Sequence, residues 1–256
     1  VTGWQPKEYQ QMGLWPGNEH FKNRYDYATE YVRVMKELWE TGTSDFKGRY
    51  FQMDDCKLSP RPSAHIDIVA AGTSDRGMEF VAEHCDYNFV SSGGGINEAD
   101  KAGENVARLA GFAEKTGRRV SAYTGCMVIA DRTDELAWAK WEHYRSGTDL
   151  EAIEWAHGQS SADKSASSDS TAGRMAANTL AMLKNPQLAE PHGGLRLIGS
   201  YENVARMLDI IASTPGLGGI MLTFDDFITG IEQFGQYIQP RMKSRSKLTA
   251  ANQNAA

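Results

Sequence analysis

Apolar positions along the chain switch between a helical spacing and short continuous runs, and the switches follow a regular order. From Asp26 to Trp39 the apolar residues Tyr27, Tyr31, Val34, Met35 and Leu38 recur at a helical period, and Thr41-Gly42 supplies a stop. Residues 43–63 hold no sustained period and contain Pro60 and Pro62, which predicts an excursion with a short hairpin around Gly48. Ile66 to Ala70 then reads as a buried strand. The turn Ala71-Gly72-Thr73-Ser74 follows, and after it a helix with Met78, Val81, Ala82 and Cys85 on one stripe. Tyr87 to Val90 is the next strand, Ser91 to Ile96 a glycine-rich loop, and Glu98 to Thr116 a helix closed by Gly117. Val120 to Ala130 forms another strand, and Asp131 is expected to cap a helix reaching about Arg145, with Leu136, Trp141 and Tyr144 inward.

The rhythm stops between Gly147 and Gly194. No strand signal appears there, and Gln159 to Thr171 is a Ser/Ala/Asp tract, so the expectation is a long insertion with one or two short helices acting as a lid. Alternation resumes with strand Leu197-Ile198 and a helix bearing Val204, Met207, Leu208 and Ile211. Strand Ile220 to Phe224 follows, then a last helix bearing Phe227, Ile231, Phe234 and Ile238 and ended by Pro240. Strands alternating with helices predict an α/β fold of the TIM (β/α)8 barrel type. Five βα-type strands are read, and Val1-Thr2 is taken as the tail of a further one, against the eight of a closed barrel. Residues 1–256 are therefore expected to form a single partial barrel domain lacking roughly its first three strands, inactive if alone. The insertion at 147–194 and a flexible tail at 243–256 complete the predicted organisation.

Composition narrows the function without choosing one. A formal charge of −6 argues against nucleic-acid and anionic-membrane partners, since either selects a basic face. The three cysteines, Cys56, Cys85 and Cys126, are odd in number and lack CxxC spacing, which fits reduced thiols in a cytoplasmic protein. The six histidines show no HxxxH or HxH spacing, so no metal site is expected. No apolar run approaches the ~20 residues that span a bilayer.

Three places can carry chemistry. Gly72 to Gly77 joins a strand to a helix start, where unpaired backbone N–H groups, two hydroxyls and close-approach glycines suit a phosphate; the competing reading is that Ser74 or Asp75 only caps the helix. Arg24, three residues before Tyr27 and seven before Tyr31, is placed on the buried stripe of its helix and needs an anion, either a cofactor phosphate or a structural carboxylate. Asp225-Asp226 ends the last strand, where barrel enzymes place catalytic groups, with an N-cap as the competing role of Asp226. Neither a nucleophile elbow nor a Walker loop is present, which favours a cofactor-driven reaction over self-sufficient hydrolysis.

The segments Val1-Thr2-Gly3-Trp4, Glu8-Tyr9, Met12-Gly13, Trp15-Pro16-Gly17, Arg24-Tyr25-Asp26-Tyr27 and Ser44-Asp45-Phe46-Lys47-Gly48 carry a family resemblance. It continues through Ala71-Gly72-Thr73-Ser74-Asp75, Lys140-Trp141-Glu142-His143-Tyr144, Gly199-Ser200-Tyr201 and Leu222-Thr223-Phe224-Asp225-Asp226-Phe227. Together they resemble the bacterial luciferase-like flavin monooxygenases, and within them the branch that oxygenates pyrimidines. The resemblance implies a luciferase-like barrel binding FMN, with Glu8, Arg24, Tyr25 and Ser74 as flavin contacts. It further implies oxygenation of uracil or thymine with O2 and ring opening to a ureidoacrylate. The reduced FMN would come from a separate NADH-dependent flavin reductase. A homo-oligomer stays open, as do alkanesulfonate- or nitrilotriacetate-type activities of the same family and a fragment that binds nothing.

Overall fold

Elements run in chain order α1 (Pro6–Gln11), α2 (Asn18–Thr41), β1 (Thr43–Ser44), β2 (Cys56–Lys57), β3 (Val69–Ala70), α3 (Asp75–His84), β4 (Tyr87–Phe89), α4 (Glu104–Thr116), β5 (Ser121–Asp131), α5 (Asp134–Ser146), α6 (Leu150–Ser160), β6 (Arg196–Ser200), α7 (Tyr201–Ala212), β7 (Leu217–Phe224) and α8 (Phe227–Gln233). The computed structural model describes residues 6–13, 17–160 and 194–246. The expected opening strand Val1-Thr2 and most of the expected lid lie outside the described residues. Within the predicted insertion, α6 is one of the short helices expected.

The long strand β5 organises the sheet. Its residues 121–123 pair in parallel with β4, 127–131 with β6, and 122–128 with β7, while β3 pairs with β4. Ala122 and Tyr123 thus have β4 on one side and β7 on the other, and Met127 and Val128 have β6 and β7. It follows that β4 and β6 lie end to end along one edge of β5 and β7 along the other. Every strand of this sheet points the same way, so the turns after β3, β4, β5, β6 and β7 share one end. The five parallel strands form an open sheet among the described residues, with no barrel closure in them.

Sequence explains the layers. Ala122, Thr124, Cys126 and Val128 alternate inward along β5, and Ile129 and Ala130 add burial on both faces toward its C-terminal half, where α5 and α7 cover it. Met78, Val81 and Ala82 of α3 and its C-cap Cys85 are all fully buried, as their spacing predicts. They join a core in which Phe80, Val81 and Cys85 meet Val32 of α2 and Val106 and Leu109 of α4, with Tyr25 and Ala28 packed against it. A second core gathers Val128, Leu197, Val204, Leu208, Ile211 and Ile238 between the sheet and α7. The hairpin expected near Gly48 is present: β1 and β2 are antiparallel, and Lys47 bridges Gln52. Glu30 of α2 anchors it by accepting from the backbone N–H of Arg49, Tyr50 and Phe51 at 2.8, 2.7 and 3.1 Å. Partial burial pushes that carboxyl up, and the three donors and Arg33 outweigh it, leaving its pKa below the ordinary value.

Several expectations are corrected. The buried strand at 66–70 shrinks to β3, with Ile66 and Val69 exposed, because the N–H of Ile68 is taken by the Asp86 carboxylate at 2.9 Å. Helix α5 is capped by Thr133, which accepts from Leu136 N, while Asp131 is held by Lys140 at 2.9 Å; Leu136 is exposed rather than inward. Helix α2 begins at Asn18, and its Tyr27 and Tyr31 are exposed and pack on Phe51 of the hairpin. On α8, Phe227 and Ile231 are exposed, and of the predicted apolar stripe only Ile238 is fully buried, at the end of a π-helical stretch Phe234–Ile238. The start of the predicted flexible tail is held, since Asp209 accepts from the backbone N–H of Lys243 and Ser244 at 2.9 and 3.0 Å. No described helix is long and apolar enough to cross a membrane.

Candidate functional site

The turn between β3 and α3 draws three of the predicted residues together. Ser74 is extended (φ −72°, ψ 159°) and caps α3, its hydroxyl accepting from Gly77 N at 3.2 Å. The carbonyl of Ser74 accepts from Met78 N at 2.9 Å, the first full helical bond. Helix geometry leaves the N–H groups of Asp75 and Arg76 without an intrahelical acceptor, and the helix dipole puts positive potential there. The capping reading holds, the cap being made by the hydroxyl, and it leaves in place the first-turn N–H groups that the phosphate reading needs.

Close approach requires the glycines. A Cβ on Gly77 would lie 2.6 Å from Tyr25 Oη and 2.8 Å from Gly72 Cα, and one on Gly72 would lie 2.8 Å from Gly77 Cα and 3.0 Å from Tyr25 Oη. So the Tyr25 hydroxyl from α2 sits against the turn, its ring 5.7 Å from Phe80 of α3. The Arg24 guanidinium lies 5.3 Å from the Tyr25 ring centroid, and Arg24 is half-buried rather than on a buried stripe. The remaining predicted contact, Glu8, falls on the backbone of α1, and its side chain lies outside the described residues.

Sequence reasoning missed a second layer behind this turn. Asn88, fully buried on β4, donates from Nδ2 to the carbonyl of Gly72 at 2.9 Å, while its Oδ1 has no hydrogen-bond partner among the described residues. Arg108 of α4 reaches the carbonyl of Thr73 at 3.4 Å and the Asp75 carboxylate at 2.8 Å. Asn105 ties Arg108 back to the sheet, accepting from it at 3.1 Å and donating to the carbonyl of Ser91 at 2.9 Å. The available signal was Asn88 itself, an amide inside a strand otherwise built of Tyr87, Phe89 and Val90. Arg76 is held by Asp26 at 2.6 Å, which raises its pKa, first through that bond.

At the end of β7 the acidic pair divides. Asp226 is the N-cap of α8, accepting from Thr229 N at 2.7 Å, and that bond holds its carboxyl below the ordinary range. Asp225 accepts from Tyr144 Oη at 3.0 Å. Burial first, and this carboxylate second, push the Tyr144 phenol up to about 12. Both acids thus have structural partners. His65, Asp67 and Asp86 also bring ligand-type atoms within 4.8 Å of one another, a grouping that their spacing does not announce. Asp86 there already accepts from Ile68 N and faces Arg118 at 3.5 Å.

The luciferase-like monooxygenase family profile matches residues 1–214. The chain belongs to that family. Among curated luciferase-like relatives, the pyrimidine monooxygenase RutA of Allorhizobium ampelinum is 60% identical over 257 residues, covering 100% of this chain and 68% of its own length. The solved long-chain alkane monooxygenase LadA superposes with a TM-score of 0.74 at 22% identity, over 94% of this chain and 60% of that one. Riboflavin lyase RcaE, solved with modified FMN and riboflavin, gives a TM-score of 0.69 at 17% identity, over 88% of this chain and 58% of that one. At those identities the two structures carry the luciferase-like fold alone. The chain spans about two thirds of the curated relative and about 60% of each of these structures.

Proposed function

We propose that this chain is the flavin-binding portion of an FMN-dependent pyrimidine monooxygenase, acting on uracil or thymine. The observation that carries it is the β3–α3 turn, whose donors, interlocked glycines and adjoining Tyr25 and Arg24 fit a phosphate monoester. The substrate class and reaction are taken from the name of the relative at 60% identity over the whole chain, a pyrimidine monooxygenase. Ser74 and the first-turn N–H groups of α3 would receive the phosphate, Tyr25 would line it, and Arg24 would balance its charge. Glu8 joins this set on the family resemblance. Bound reduced flavin supplies the electrons and activates O2; the chain's own part is to orient the cofactor and keep water from it.

Finer readings follow from the same resemblance. The parallel sheet is read as five strands of a TIM barrel, supported by their common direction and by helices between them. Reduced FMN is read as delivered by a separate NADH-dependent reductase in the cytoplasm, and the three free cysteines fit that compartment.

Flavin fluorescence titration tests the site. Arg24→Ala should weaken FMN binding about ten- to a hundredfold, the loss of one charged hydrogen bond. An unchanged FMN dissociation constant would remove the phosphate reading. Turnover assays with uracil and with an alkanesulfonate, under reduced FMN and O2, decide the substrate: consumption of the sulfonate but not uracil would reassign it.

A further inference from the structure

We propose that Asn88 is a positioning residue for the flavin phosphate, acting through the Gly72 carbonyl; the proposal rests on the phosphate reading of the β3–α3 turn. A turn presents N–H groups to an anion only if its carbonyls face elsewhere, because a carbonyl dipole aimed at a phosphate repels it. Two carbonyls precede Ser74, and each is engaged from behind. Asn88 Nδ2 donates to that of Gly72 at 2.9 Å, and Arg108 to that of Thr73 at 3.4 Å. Asn88 is the inner hold. It is fully buried on β4, whereas Arg108 is partly exposed and shared with Asp75 and Asn105.

The choice of residue supports a function. An apolar side chain of similar size would pack in a buried strand without desolvating an amide, and Asn88 buries its Oδ1 with no hydrogen-bond partner among the described residues. A half-satisfied amide is a poor stabilising device. It is explained when its other half fixes a backbone group that the site needs. The bond also runs from Asn88, which pairs with Ala70 of β3, to Gly72 in the turn just past that strand, so the register between neighbouring strands sets the turn.

The test uses Asn88→Leu, which keeps the number and branching of the side-chain heavy atoms and removes the donor, with titration of both FMN and riboflavin, the latter lacking the phosphate. The expected result is FMN affinity lowered about tenfold, the worth of a disordered donor set, with riboflavin affinity little changed. Should the leucine variant not fold, Asn88→Ser gives the same comparison, since its hydroxyl is too short to reach the Gly72 carbonyl. Equal losses for FMN and riboflavin would mean a merely structural residue and overturn the proposal. Unchanged affinity for both would overturn it as well. A wild-type protein that binds riboflavin as tightly as FMN would instead refute the phosphate reading on which the proposal stands, so the two failures are told apart.

Discussion

At the end of β3, Ser74 caps α3 by accepting from Gly77 N at 3.2 Å; at the end of β7, Asp226 caps α8 by accepting from Thr229 N at 2.7 Å. Both turns lie at the same end of the sheet, and both pass from a parallel strand into a helix. Their surroundings differ. Around Ser74 the two glycines interlock with Tyr25, and buried or partly buried side chains hold the preceding carbonyls, so the N–H groups of the first turn stay available. Around Asp226 the acids are absorbed by the structure, one by the helix and the other by Tyr144. An N-cap at a strand end is therefore no mark of a ligand site in itself. What separates the two is the layer behind the turn.

The comparison breaks most sharply at Gly77. The added methyl in Gly77→Ala would press on Gly72 Cα at 2.8 Å and Tyr25 Oη at 2.6 Å, and since backbone cannot move aside cheaply, we expect a cost of about 1–3 kcal/mol and loss of measurable FMN binding. Thermal unfolding and flavin titration read the two effects; full FMN affinity in this variant would show the close approach to be irrelevant to the ligand. Next in size is the Tyr144–Asp225 pair. The phenol's raised pKa means that the folded state holds its proton longer than the unfolded chain. The pair's stabilisation is thus complete below pH ~10, the unfolded tyrosine value, and is lost as pH rises from there toward about 12. Ultraviolet titration should show a late-ionising tyrosine that shifts down in Asp225→Asn, partway only, because burial remains the larger cause. If the late component persists unshifted, the bond is not what holds it. Smaller again is Asp226→Ala, which removes one cap from an exposed helix: the melting temperature should fall slightly while FMN affinity stays put. A fall in FMN affinity there would return the β7 turn to the list of active groups.

What could be read from sequence follows the same division. Ser74, Gly72 and Gly77 were legible because turn chemistry is local: a short apolar run, glycine, hydroxyl and a helical period stand side by side. Asn88 was not, since nothing within its own strand says which carbonyl lies across the sheet. Arg108, on a helix face with neighbours of both charges, reads as solvated until α3 is placed against it. The helices show the complementary limit. Periodicity located the apolar stripe of α3 residue by residue, yet on α2 and α8 it could not say what covers the stripe. Tyr27 and Tyr31 face the hairpin, and Phe227 and Ile231 face outward. A period fixes which residues share a face, whereas burial depends on partners distant in sequence.

The smallest predicted effect supplies the control for the glycine argument. Gly111 lies on the exposed face of α4, in the same helix as Asn105 and Arg108, and a Cβ there meets nothing within 4 Å. Its backbone is helical without a positive φ, so the missing side chain serves no conformational need and carries only glycine's entropic cost. Gly111→Ala should accordingly stabilise the protein by about 0.5–1 kcal/mol, seen as a modest rise in melting temperature, and leave the FMN and riboflavin constants where they were. The same chemical change thus has opposite signs at Gly111 and Gly77. If alanine at Gly111 destabilised the fold as alanine at Gly77 is expected to, the contrast would reflect a general intolerance of substitution in the α3–α4 layer, and the special status given to the β3–α3 turn would lose its ground.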